Sequence, residues 1–333
     1  MYSISNPLIT SFELKSKLPL LPPERLFIEK SRKQAENILR RVDDRLVIFA
    51  GPCSIHNAEV ALSYAKKLKE LACKVEDRIF LIMRVFLEKP RTQFGWKGFI
   101  YDPYLDGSNE IEEGLFSSRK LLLKIAALNI PVATEFLDPI LASYHKDLIT
   151  WGVIGARTSA SQIHRQLASD LGMPIGFKNE TDGLLDNAIR GALAARHPQS
   201  SIGVDEHGRV CSLKTTGNAY THIILRGSNE RTNYDLLSIT QAIQKQRLFG
   251  LHSPLVIDCA HGNSQKNLKK QLDVFSSVLN QIINGNHLIS GMMLESHLQE
   301  GNIYSITDPC IGWKMTKELI LEAYSAFSYQ SAH

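Results

Sequence analysis

The amino-acid sequence predicts an α/β protein built on a closed (β/α)8 TIM barrel. Three observations predict it. Apolar runs of strand length alternate with helical patterns eight times over roughly 280 residues, the arithmetic of eight strand–helix units. Four of those runs end in a single cation at the same end: Ile79-Phe80-Leu81-Ile82-Met83 then Arg84, Val153-Ile154-Gly155-Ala156 then Arg157, Pro174-Ile175-Gly176-Phe177 then Lys178, and His222-Ile223-Ile224-Leu225 then Arg226. Finally, no Gly-rich GxGxxG turn follows an early strand, so the doubly wound open sheet lacks its phosphate-binding signature.

Residues 1–44 read as an N-terminal arm, not a separate domain. The arm is polar, is broken at Leu21-Pro22-Pro23, and carries a helix from Glu24 to Arg41 with Ile28, Ala35, Ile38 and Leu39 roughly on one face. The barrel then occupies 45–333. Its strands are expected at Leu46–Ala50, Ile79–Val85, Val132–Phe136, Val153–Ala156, Ile175–Lys178, His222–Leu225, Leu255–Cys259 and Ile289–Leu294. The intervening helices are expected at Ala58–Ala72, Ser117–Leu128, Pro139–Leu148, Ala160–Leu171, Gly183–Ala195, Tyr234–Gln246 and Ser264–Ile283, with a last one at Thr316–Phe327. One insertion stands out, at about 200–216. Ser201–Val204, a turn at Glu206-His207-Gly208, and Arg209–Leu213 read as a β-hairpin between the fifth helix and the sixth strand.

Composition excludes several classes. The 333 residues are 44% hydrophobic and 22% charged, ordinary for a globular chain with a large core. A net charge of +4 without any Lys/Arg-rich block argues against nucleic acid as a partner. No apolar stretch is long enough to span a bilayer, so no membrane partner is expected. Five cysteines with no CxxC pair, and no leader-like N-terminus, fit a reducing cytoplasm.

The residues after each strand carry the chemistry, because in a barrel they converge on one mouth. A buried strand should not finish in an unpaired charge, since desolvating a cation costs several kcal/mol or more. One such ending is ordinarily a salt bridge; four in phase point to a polyanionic ligand. Arg84, Lys89, Arg91, Arg157, Lys178 and Arg226 form the cation group, enough for more than one phosphate, or a phosphate and a carboxylate. Cys53, His261, Glu295 and Asp308 form a second group. One thiolate, one imidazole and two carboxylates suit a divalent transition metal; the set matches neither an all-oxygen Mg²⁺ site nor a Cys-rich structural zinc site. Cys259 reads as core, Cys73 and Cys211 as inert, and His56, His164 and His297 as surface or structural, the alternative being that they support the site's ligands from outside.

These motifs together resemble the metal-dependent 3-deoxy-D-arabino-heptulosonate-7-phosphate (DAHP) synthases of the microbial type I family. The resemblance rests on Gly51-Pro52-Cys53-Ser54-Ile55-His56, Met83-Arg84-Val85, Glu88-Lys89-Pro90-Arg91-Thr92 with Gly95-Trp96-Lys97-Gly98, and Gly155-Ala156-Arg157-Thr158. It continues through Gly176-Phe177-Lys178-Asn179, His222-Ile223-Ile224-Leu225-Arg226-Gly227, Glu295-Ser296-His297, and Asp308 with Cys310-Ile311-Gly312-Trp313. It implies a transferase that condenses phosphoenolpyruvate with erythrose 4-phosphate, giving DAHP and phosphate at the first step of the shikimate pathway to aromatic amino acids.

By the same resemblance, Arg157, Lys178 and Arg226 hold the phosphoenolpyruvate phosphate, Arg84 and Lys89 engage that substrate and its carboxylate, and Arg91 and Thr92 take the sugar phosphate. Cys53, His261, Glu295 and Asp308 hold one divalent ion, Mn²⁺, Fe²⁺, Co²⁺ or Zn²⁺, which acts as a Lewis acid on the aldehyde oxygen. Lys89 and a metal-associated His261 are expected in proton transfer, and Glu135 in orienting the attacking water. The resemblance also implies a homodimer or homotetramer. A related synthase using arabinose 5-phosphate is the closest alternative, but its second-strand loop resembles Lys-Ala-Asn-Arg-Ser-Ser where this chain has Lys89-Pro90-Arg91-Thr92. A non-catalytic ligand-sensing homologue would be expected to lose metal ligands or Lys89; all are present.

Two stretches depart from the family pattern. Regulated members bind an aromatic amino acid effector between the helix after the third strand, the hairpin and a neighbour's arm. Here Pro139-Ile140-Leu141-Ala142-Ser143 replaces a segment ending near Thr-Pro-Gln, Ser201 and Gly203 stand where Phe and Ser are usual, and the arm is short between Leu26 and Ile38. Weak or altered feedback inhibition is the expectation. The loop from Gly301 to Asp308 is also short, which should weaken closure over the sugar phosphate.

Overall fold

A computed structural model of the chain describes residues 7–301 and 308–330, with the side chains of 328–330 left aside. Eight parallel strands close into a barrel in the order β1-β10-β9-β8-β5-β4-β3-β2. They are β1 (Leu46–Gly51), β2 (Ile79–Arg84), β3 (Val132–Glu135), β4 (Trp151–Ile154), β5 (Ile175–Lys178), β8 (Thr221–Leu225), β9 (Leu255–Asp258) and β10 (Ile289–Glu295). Every residue of these strands is buried, which is why they read as continuous apolar runs and not as alternating ones. The inserted hairpin, β6 (Ser200–Val204) and β7 (Val210–Lys214), is antiparallel, half-exposed and outside the barrel, with Ser200 opposite Lys214 and Val204 opposite Val210.

The helices follow in order: α3 (Ala58–Val75), α4 (Ile111–Ala127), α5 (Pro139–His145), α6 (Gln162–Asp170), α7 (Asp186–Ala195), α8 (Leu236–Leu248), α9 (His261–Ser264), α10 (Leu268–Ile283) and α11 (Trp313–Gln330). One apolar core lies between strands and helices; a second fills the barrel interior with Val47, Phe49, Ile82, Trp151, Ile224 and Met293 among its members.

The arm holds two helices, α1 (Ser11–Lys17) and α2 (Pro22–Leu39). The first is not among the helices expected from the sequence, although its signal is present. Thr10 and Glu13 form a reciprocal capping box, the Thr10 hydroxyl accepting from the Glu13 N–H at 3.2 Å and the Glu13 carboxylate accepting from the Thr10 N–H at 2.9 Å. The second begins at the proline pair, not after it, because proline suits the first helical turn, where its missing N–H costs nothing. Ala35, Ile38 and Leu39 of α2 join the interior core, so the arm plugs the N-terminal end of the barrel.

Several further boundaries differ. The fourth strand runs Trp151–Ile154, not Val153–Ala156, because Gly155 opens a turn that Thr158 N–H closes onto the Gly155 carbonyl at 3.0 Å. The helix expected from Ser117 starts at Ile111. The helix expected over Ser264–Ile283 is split, since Gln265 and Lys266 take left-handed backbone angles (φ 51° and 58°) between α9 and α10. The segment between Gly301 and Asp308, where a shortened loop is expected, lies outside the described residues.

Candidate active site

The loop after β1 carries Cys53. It is buried and its backbone N–H points at Cys310 Sγ, 3.4 Å away. Ligand atoms of Cys53, Glu295 and Asp308 all lie within 4.8 Å of one another, a donor group of the size a metal ion needs. Three elements far apart in sequence meet here: the β1 loop, the last residue of β10, and the segment before α11.

His261 stands beside this triad. Its Nε2 is 3.4 Å from Glu295 Oε1 and its Nδ1 is 2.9 Å from Asp258 Oδ2. The second contact is short but poorly aligned for a linear hydrogen bond. It nonetheless sets the imidazole between two carboxylates, the arrangement in which one ring nitrogen is held and the other faces a ligand. The backbone of His261 is left-handed (φ 53°), which is strained for a side chain with a Cβ. Its neighbour Gly262 is packed against the loop after β8 so closely that a Cβ would meet Ser228 N at 2.5 Å. Together these fix His261 at the mouth. A thiol and two carboxylates together, with an imidazole adjacent but outside their mutual 4.8 Å, fit a divalent transition ion.

Lys89 closes over the triad. Its Nζ is 3.0 Å from Cys53 Sγ. Burial alone would lower its pKa, but the sulfur of Cys53 and the carboxylates of Glu295 and Asp308 outweigh it, and the net shift is upward. Lys89 is therefore a cation at neutral pH. Asp308 moves the other way: burial opposes its charge, and His261, Lys266 and Lys89 more than compensate, holding its pKa below the usual range.

The strand-end cations divide into two kinds. Arg84 and Lys178 are buried and paired, Arg84 Nη2 to Glu295 Oε1 at 3.0 Å and Lys178 Nζ to Asp258 Oδ2 at 2.7 Å. The Arg84 guanidinium also stacks over Phe86, 4.3 Å from the ring centre. Arg157 and Arg226 have no ion pair among the described residues. Arg157 is exposed and its Nε donates to Thr92 Oγ1 at 2.7 Å. Arg226 is buried; its side chain reaches only the Gly227 carbonyl, at 3.3 Å, and burial pulls its pKa down. Arg91 lies on the exposed loop beside Thr92, its Nε donating to the Trp96 carbonyl at 2.7 Å. All six cations thus rim one mouth at the strands' C-terminal ends.

Glu135, the last residue of β3, is buried with Oε1 unpartnered among the described residues. Gly155 makes room for it: a Cβ there would sit 2.2 Å from Glu135 Oε1.

Sequence reasoning places Asp258 at the end of the seventh strand but gives it no role. It is fully buried, joins Lys178 to His261, and its pKa is held well below the carboxylate range because His261 and Lys178 overcome the cost of burial. A carboxylate ending the strand before the His261 loop was the available signal. Glu88 was read only as part of a motif. Its carboxylate accepts from the Leu137 and Asp138 N–H groups at 3.2 and 3.0 Å, yet burial pushes its pKa up to about 8. His297, read as surface or structural, is buried and stacks on His56 with ring centres 5.7 Å apart.

The family model of the DAHP synthetase I family matches residues 27–320. This chain belongs to the DAHP synthetase I family. Among relatives of the family, it is 44% identical over 335 residues to the Tyr-sensitive phospho-2-dehydro-3-deoxyheptonate aldolase of Escherichia coli K12, covering 97% of this chain and 94% of that one. It is 43% identical over 330 residues to the Trp-sensitive enzyme of Escherichia coli O157:H7, covering 96% and 94%. Among solved structures, the phospho-2-dehydro-3-deoxyheptonate aldolase of Francisella tularensis SCHU S4 superposes with a TM-score of 0.95 at 40% identity, over 98% of each chain.

Proposed function

We propose that this DAHP synthetase I family member condenses phosphoenolpyruvate with erythrose 4-phosphate, releasing phosphate and DAHP. One observation carries the reading: the donor triad Cys53, Glu295 and Asp308, capped by Lys89 at 3.0 Å from Cys53 Sγ, sits at the strand ends that carry the cations. Cys53, His261, Glu295 and Asp308 would hold one divalent ion among Mn²⁺, Fe²⁺, Co²⁺ and Zn²⁺. When bound, such an ion supplies Lewis acidity toward an aldehyde oxygen.

The chain's own residues do the remainder. Arg157, Lys178 and Arg226 bind the enolpyruvate phosphate, and Arg84 and Lys89 its carboxylate end. Arg91 and Thr92 bind the sugar phosphate; the Thr92–Arg157 contact links the two phosphate subsites. C3 of phosphoenolpyruvate then bonds to the aldehyde carbon, water adds at C2, and the C2–O bond to phosphate breaks. Lys89, protonated at neutral pH, donates a proton toward the nascent alkoxide. The unpartnered Glu135 Oε1 accepts a hydrogen bond from the attacking water.

The barrel of 45–333 is the catalytic unit, the arm of 1–44 its plug, and the assembly a homodimer or homotetramer. Regulation by an aromatic amino acid is weak or altered. In this chain the arm packs on the hairpin turn and on α5: Lys15 pairs with Glu206 at 2.6 Å, and the Tyr144 hydroxyl donates to the Ile9 carbonyl at 2.7 Å.

The test is phosphate release with Mn²⁺ and phosphoenolpyruvate, with each aldose phosphate in turn. Turnover with erythrose 4-phosphate that chelation abolishes supports the proposal. Turnover only with arabinose 5-phosphate, or none with either, overturns it. Inhibition by Tyr, Phe or Trp at sub-millimolar concentration would overturn the regulatory part.

A further inference from the structure

A cavity of about 1100 Å³ opens at the end of the barrel opposite the candidate active site, where β8, β9 and β10 begin. It lies beside the C-terminal end of α2 and is far too large to be a packing defect. Five arginines line it and one carboxylate, Asp44. Arg45 is already neutralised, its Nη2 2.6 Å from Asp43 Oδ2. That leaves Arg40, Arg41, Arg196 and Arg247 against Asp44.

Two of the four are held in place without a carboxylate. Arg41 donates through Nη2 to the carbonyls of His287 and Ile289, at the start of β10. Arg196 donates through Nε to Thr221 Oγ1 at 2.9 Å and through Nη2 to the Thr221 carbonyl at 2.8 Å, at the start of β8. The two guanidiniums therefore flank the start of β9, the strand between β8 and β10. Arg196 is partly buried, which weakens its charged form, and no neighbouring charge offsets it; Arg41 is exposed and held by its two carbonyls alone. Helix C-termini account for Arg40 and Arg247, which close α2 and α8. They do not account for two further guanidiniums fixed on carbonyls under β8 and β10. Fixed positive groups gathered in one cavity against a single carboxylate attract an anion. The remaining wall is apolar and aromatic, with Tyr220, Pro254, Leu288 and Phe327.

We propose that this cavity is a second ligand site, separate from catalysis, for an organic phosphate with at least two negative charges and an aromatic or apolar body, the chemistry of a nucleoside diphosphate. Guanidinium forks bind phosphate oxygens bidentately, and the aromatic wall takes the base.

The test titrates ADP and inorganic pyrophosphate, each as its Mg²⁺ complex, into the metal-loaded enzyme held at saturating phosphoenolpyruvate, so that the catalytic phosphate site is filled. One ADP per chain is expected, bound at least tenfold tighter than pyrophosphate. Arg40→Glu and Arg247→Glu, at exposed positions that hold no backbone, should each weaken ADP at least tenfold and leave phosphate release from phosphoenolpyruvate and erythrose 4-phosphate unchanged. Absence of ADP binding, competition between ADP and phosphoenolpyruvate, or affinity untouched by both charge reversals overturns the proposal.

Discussion

Replacing Asp258 by Asn tests how the mouth holds its charges. Asp258 is completely buried and its Oδ2 faces both Lys178 Nζ at 2.7 Å and His261 Nδ1 at 2.9 Å. The partner lysine is itself only 5% exposed. Removing one member of a buried pair leaves the other charge without compensation, which costs about 3–5 kcal/mol. A chain of this length unfolds with an entropy near 0.7 kcal/mol per kelvin, so the melting temperature should fall by about 4–7 °C. The assay is thermal unfolding of the metal-depleted protein at pH 7 and at pH 3.5. A carboxylate whose folded pKa is depressed contributes stability that is complete above its unfolded pKa, about 3.9, and is lost as pH falls through the folded value. The wild-type advantage should therefore be full at pH 7 and narrower at pH 3.5. Equal melting temperatures at pH 7, or a gap that does not narrow in acid, would refute the reasoning.

Other perturbations follow from the same geometry. Gly155→Ala would drive a methyl group to 2.2 Å from Glu135 Oε1, so the carboxylate must move by about 1 Å; kcat should fall roughly 100-fold, while an unchanged kcat in steady-state kinetics removes Glu135 from the reaction. Lys89→Met should leave phosphoenolpyruvate binding measurable by calorimetry and lower kcat by about 10²–10⁴-fold; normal turnover eliminates the proton-transfer role. Glu88 has a folded pKa of about 8, above its unfolded value of about 4.3, so the wild type loses stability as pH rises between them. Glu88→Gln should lack that loss, and urea unfolding at pH 5.5 and 8 reads the difference; parallel behaviour of the two proteins contradicts the assignment.

The barrel was legible because its strands are buried on both faces and its cations recur in phase. Boundaries were less so. Val153 and Ile154 are apolar in a strand, and Gly155 and Ala156 are equally apolar in the turn that follows, so hydropathy alone could not separate them. The capping box of α1 was readable at Thr10 and Glu13 but too short a helix to show periodicity. At the site, Cys53, Glu295 and Asp308 stand 242 and 255 residues from the first to the other two by numbering, and only closure of the barrel makes them neighbours. Asp258 was visible at the end of the seventh strand but received no role, because it ends an apolar run as a charge of the opposite sign to the pattern being followed. The pairing of Arg84 and Lys178 with carboxylates also refines the electrostatic argument. Those two cations are compensated within the fold, and Arg157 is exposed in the turn after its strand, so the demand for an external anion falls mainly on the buried Arg226.

A crystal structure of the protein grown with Mn²⁺ and phosphoenolpyruvate tests the central claim most directly. The account predicts one ion bound by Cys53, His261, Glu295 and Asp308, with the substrate phosphate on Arg157, Lys178 and Arg226. An ion held elsewhere, or a phosphate that leaves Arg157 and Arg226 untouched, would contradict it.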